Sequence, residues 1–83
     1  MLSPSGRAVW ELEVECPSAC VWVDLYDLDD GWFGAAIYAV DDTSAPLASA
    51  IYQNDARLRC AGAPLALDDW RAIDHAVARA VAP

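Results

Sequence analysis

Trp10-Glu11-Leu12-Glu13-Val14-Glu15-Cys16 alternates apolar and acidic residues without a break. A period of two puts Trp10, Leu12, Val14 and Cys16 on one face of a β-strand and the three glutamates on the other. A helix would scatter the same residues around its circumference. As a strand, the stretch sets three carboxylates in one row, roughly 6.6 Å apart from Cβ to Cβ, twice the rise per residue.

The rest of the chain follows from that first strand, predicted over 8–16. Pro17 and Ser18 break it, and a second run covers 19–26. There Val21, Val23 and Leu25 alternate with Trp22, Asp24 and Tyr26, so one face is aliphatic and the other sets two aromatics beside an acid. Asp27-Leu28-Asp29-Asp30-Gly31 reads as a turn, with Gly31 free to take a positive φ. The third run, 32–40, is apolar on both faces. It is expected at the centre of the sheet, or with its second face against a helix or another subunit. After the turn Asp41-Asp42-Thr43-Ser44, strands are expected over 47–53 and 56–60. In the latter Arg57 and Arg59 alternate with Leu58 and Cys60.

The chain closes with a predicted helix over 68–82. Trp70, Ile73, Val77 and Val81 make its apolar stripe, Asp68 is placed to cap it, and Arg79 lies near its negative end. The expected fold is therefore α+β: an antiparallel four- to five-stranded β-meander with one C-terminal α-helix packed on the sheet. Residues 1–6 (Ser, Pro and Gly among them) read as a mobile tail, and 7–83 as one compact domain.

A chain of 83 residues buries only about 60–65% of its unfolded surface, so its core is thin. With 57% hydrophobic residues and four Trp, disorder is not expected, and some apolar surface is left for a homodimer or a partner. Three Cys and no apolar stretch of signal-peptide length point to reduced thiols and a cytoplasmic protein.

Charge is the most informative feature. From residue 8 to 56 there are ten acids and no Lys or Arg, a formal charge of −10, whereas residues 57–83 hold three acids against four Arg. A net charge of −8 argues against direct contact with nucleic acid or an anionic membrane, because phosphate would be repelled. Like charges on neighbouring sheet positions oppose folding, and a solvated surface would more cheaply intersperse signs.

The field thus suggests a use: an anionic face that occupies a basic, nucleic-acid-binding site on another protein, where duplex DNA would offer one phosphate per roughly 3.4 Å per strand. This is the logic of DNA-mimic inhibitors of the anti-restriction or anti-CRISPR type, an analogy of class. The candidate partner-binding residues are Glu11, Glu13, Glu15, Asp24, Asp27, Asp29, Asp30, Asp41 and Asp42. An acidic solubility surface is the plain alternative. A dimer or assembly module joined through Trp32, Tyr38 and the spare apolar face is another, and an immunity or antitoxin-type protein holding a basic toxin a third.

No catalytic motif is present, and neither an enzyme activity nor a cofactor is expected. Cys16, Cys20, Cys60 and His75 could in principle form a Cys₃His zinc set, but the spacing is poor for a structural site, so no metal is expected. Cys16 and Cys60 fall on apolar strand faces, where a buried thiol is the ordinary outcome. A Cys16–Cys20 disulfide would need an oxidising setting. His75 reads as a surface residue. Asp27, Asp29, Asp30 and Gly31 fail the EF-hand pattern, because the glycine comes one position early and Tyr38 stands where the closing glutamate belongs.

Overall fold

The computed structural model describes residues 9–82; the tail expected over residues 1–6 lies outside them. Five strands, β1 (Trp10–Glu15), β2 (Cys20–Asp27), β3 (Trp32–Ala39), β4 (Ala48–Gln53) and β5 (Ala56–Gly62), precede one helix, α1 (Leu67–Val81). The strands pair antiparallel in chain order to give one sheet, β1-β2-β3-β4-β5. This is the expected α+β meander, with β3 at its centre.

Register decides which residues share a face. Leu12 pairs with Val23 and Val14 with Val21. Val23 then pairs with Ile37 and Leu25 with Ala35, and these continue into Ala48 and Ala50 of β4. All of these side chains lie on the face that α1 covers. Val23, Leu25, Ile37 and Tyr52 meet Ile73 and Val77 of the helix with no exposed surface, and Trp70 closes the same cluster. Each such aliphatic side chain contributes about 1.5–3 kcal/mol on leaving water, so this single layer carries most of the apolar stabilisation.

Three local expectations are corrected. Asp68 does not cap α1: the N-cap is Ala66, in extended conformation and without a side-chain bond. The neighbouring Asp69 turns inward instead, is 7% exposed, and its Oδ1 accepts the Ser18 N–H at 3.1 Å. That bond ties the start of the helix to the β1–β2 bend and satisfies a backbone donor.

The strict alternation of Arg57 and Arg59 with Leu58 is broken by a register shift opposite Ile51/Tyr52. Arg57 pairs with Tyr52 and Arg59 with Ile51, so Leu58 is the extra residue of a bulge. The register therefore puts Arg57 on the helix side. Its Nε lies 3.4 Å from Asp74 and its guanidinium 4.3 Å above the Trp70 ring. The Tyr52 hydroxyl donates to the same Asp74 carboxylate at 2.5 Å, and burial followed by that bond holds the phenol far above its ordinary ionisation range.

Cys60 is also not buried as expected but exposed, because β5 is an edge strand and only partly covered. No helix among the described residues is long and apolar enough to cross a membrane.

Candidate functional site: the uncovered sheet face and its acidic border

The same pleat that sends Leu12 and Val14 under the helix sends Glu11, Glu13 and Glu15 to the opposite, uncovered face, where all three are exposed. They occupy an edge strand, so nothing lies beyond them in the sheet. Their cross-strand neighbours are Asp24, Trp22 and Cys20. The row runs the length of β1, about 13 Å from first to last.

Asp24 departs from the other candidate carboxylates. It stands on the same face but is only 2% exposed, and its Oδ1 accepts the Trp22 indole N–H at 2.8 Å. Trp22, two residues before it on the same face, thus covers the acid it bonds. Asp24 therefore presents no free carboxylate to a partner. Tyr38, one strand further in, is 1% exposed. Its phenol is raised by burial and further by the neighbouring Tyr26 and Asp24. The Tyr26 hydroxyl is buried and finds no hydrogen-bond partner among the described residues.

The remaining acids lie at the two ends of the sheet. Asp27, Asp29 and Asp30 form the β2–β3 turn, all exposed. The Asp27 carboxylate accepts the Asp29 N–H at 2.8 Å, and Asp29, Asp30 and Gly31 all take positive φ, a conformation that Asp tolerates better than most residues. The Asn54 N–H donates to the Gly31 carbonyl at 2.6 Å, which brings the β4–β5 turn, with Asp55, beside this one.

Asp41 and Asp42 sit at the opposite end. Asp42 accepts both the N–H and the hydroxyl of Ser44, at 3.1 and 2.6 Å, and these bonds hold its carboxyl below the ordinary range. Asp41 lines a small hollow with Cys20, and Cys20 is the cross-strand neighbour of Glu15. The β1 row therefore continues into this end.

The acids form a border on three sides of the uncovered face rather than one patch. Among the described residues the ion pairs are Arg57–Asp74 and Arg71–Asp68, the latter at 4.0 Å. None of the border carboxylates takes part in either.

On the fourth side, β5, the bulge turns Arg59 to this face. Between Arg59 and the aromatics of β2 lies an open trough of about 640 Å³ floored by Gly34, Ala36, Ser49, Ile51 and Ala61. Strict alternation at Leu58 concealed it, and the run of small residues on alternate positions of β3 and β4 was the available signal.

No three potential ligands converge among the described residues. Cys16 packs against the core, whereas Cys20 is exposed opposite Glu15, and both thiols are free. The Cys16 thiol is raised first by burial and then by nearby Asp69 and Cys20, away from the thiolate form that binds metals.

No protein-family model, curated protein or solved structure matches the chain.

Proposed function

We propose that this protein is a small acidic binding protein that blocks a basic, nucleic-acid-handling site on another protein. The observation that carries the proposal is the row Glu11, Glu13, Glu15. It is exposed on an edge strand, extended at both ends by turn aspartates, and without a cation paired to any of its members among the described residues.

The row by itself supplies one charge per roughly 6.6 Å, about half the linear density of one DNA strand at one phosphate per roughly 3.4 Å. Asp27, Asp29 and Asp30 at one end, and Asp41 and Asp42 at the other, lengthen the anionic track. The rigid sheet holds the glutamates in line before any partner arrives, which lowers the ordering cost of association.

Salt dependence tests the proposal. Protein partners captured from a lysate should dissociate steeply as salt rises, because the contacts are between exposed charges within a Debye length of about 8 Å at physiological ionic strength. Capture that is equally strong in low and high salt would refute it.

A further inference from the structure

Among the described strands β1 has β2 as its neighbour on one side, and its other edge is open. The hydrogen bonding between β1 and β2 decides which backbone groups that open edge shows. The Cys16 N–H donates to the Ala19 carbonyl, and these two residues continue the register that sets Glu15 opposite Cys20. Directly opposed residues of an antiparallel ladder are hydrogen-bonded in alternate pairs. Trp10, Leu12 and Val14 therefore direct their N–H and C=O groups at β2.

The far side of β2 agrees. The Leu28 N–H donates to the Trp32 carbonyl, in the register that sets Asp27 opposite Phe33. The even-numbered residues of β2 thus bond β3, and Val21, Val23 and Leu25 are left to bond β1. Glu11, Glu13 and Glu15 consequently turn their own N–H and C=O groups outward. The open edge is a ladder of such groups at intervals of roughly 6.6 Å, each beside an exposed carboxylate on the uncovered face. On the helix side the same strand leaves Trp10 and Leu12 only half-buried.

We infer that an extended segment of the partner adds to β1 as a sixth, antiparallel strand. It carries Lys or Arg at alternate positions facing the three glutamates, and apolar residues between them on the helix side. This rests on the reading that the row receives a basic partner, and it names the element that the partner presents. Backbone bonds to the glutamates supply attachment, and the alternate side chains supply selectivity. Each cation stands directly opposite a glutamate, with Cβ atoms about 5 Å apart, while the apolar residues cover Trp10 and Leu12. Antiparallel addition is the stronger of the two directions per residue.

A second copy of the chain is not the complement. β1 against another β1 would set carboxylate opposite carboxylate. The other outer strand, β5, turns Arg57 to the helix side and Arg59 to the uncovered face, so it offers no row of cations. An acidic edge keeps copies apart and admits a strand of opposite charge.

Titration of the isotope-labelled full chain with a blocked peptide in which three arginines alternate with four valines tests this, read by amide resonances and amide hydrogen exchange. The Glu11, Glu13 and Glu15 amides should shift and exchange more slowly. Those of Leu12 and Val14, already bonded to β2, should change little. Methylating the backbone nitrogens of the arginines keeps every charge but removes the N–H groups aimed at β1, and should weaken binding by about tenfold or more. Methylating those of the valines, which face away, should leave binding unchanged.

Glu13→Lys should weaken binding of the arginine peptide by about tenfold, and a glutamate in place of the central arginine should restore it. Equal binding of the two methylated peptides, or no shift at the three glutamate amides at about 1 mM peptide, would overturn the inference. Salt-sensitive capture of a basic partner would still stand in that case. The contrast between the methylated peptides belongs to strand addition alone, so the two readings fail separately.

Discussion

Changing Glu11, Glu13 and Glu15 together to glutamine is expected to stabilise the fold. The three carboxylates stand on alternate positions of β1, exposed and without ion-pair partners among the described residues. Adjacent members are about 6.6 Å apart, and two unit charges at that separation repel by about 0.6 kcal/mol in water. Physiological salt screens each adjacent pair to about 0.3 kcal/mol, so the two adjacent pairs together cost about 0.6 kcal/mol.

At about 0.01 M salt the cost rises to about 1.0 kcal/mol, and near 1 M it falls to about 0.1 kcal/mol. For a domain of this size 1 kcal/mol shifts the melting temperature by about 4–8 °C. Thermal unfolding followed by circular dichroism should therefore show the triple variant melting about 2–5 °C higher at physiological salt. The gap should widen at low salt and close at high salt. A variant that melts lower, or a gap independent of salt, would mean that the row is neutralised in the folded chain, and the electrostatic reasoning would fail.

Further outcomes follow from the helix side and the turns. Tyr52→Phe removes a bond to a charged carboxylate that is about a third exposed, so a loss of about 1–2 kcal/mol is expected in denaturant titration. The Tyr52 phenol ionises above its ordinary value in the fold. Its contribution is therefore complete below the unfolded value of about 10 and is lost as pH rises beyond it. The wild type should weaken on raising the pH above that point more steeply than Tyr52→Phe does. Gly62 has φ +95°, and a Cβ there would lie 2.7 Å from the Leu47 carbonyl and 2.8 Å from the Ala48 Cα. Gly62→Ala should cost about 2 kcal/mol or more, because backbone cannot move aside. At Gly31 the obstacle is the Asn54 side chain, so Gly31→Ala should cost less, about 1–2 kcal/mol from its positive φ alone.

Much of the fold was legible because alternation is a strong signal. The runs around Leu12, Val23 and Ile37 place the strand cores correctly, and Trp70, Ile73 and Val77 define the helix face that covers them. The site was legible only in part. Glu11, Glu13 and Glu15 share a face because period two requires it, and the turn aspartates are exposed because turns are.

Asp24 reads from sequence like the other acids. Its burial depends on Trp22 bonding back across two residues and on aromatic neighbours supplied by the pairing register. The bulge at Leu58 left no trace, since Arg57-Leu58-Arg59 alternates as well as any strand does. Only the pairing with Ile51 and Tyr52 shows that one arginine joins the Asp74 cluster while the other faces the trough. The helix cap was misassigned for a similar reason: Asp68 and Asp69 are equivalent in sequence, and the Ser18 N–H, fifty-one residues away, decides which turns inward.

The central claim is that the glutamate row takes the place of a nucleic-acid backbone in a basic site. The most direct test immobilises the wild type and the triple glutamine variant, exposes both to the same lysate, and elutes with duplex DNA. Nucleic-acid-binding proteins should be retained by the wild type, released by the DNA, and missing from the variant. Retention of the same proteins by both, unaffected by DNA, would contradict the account.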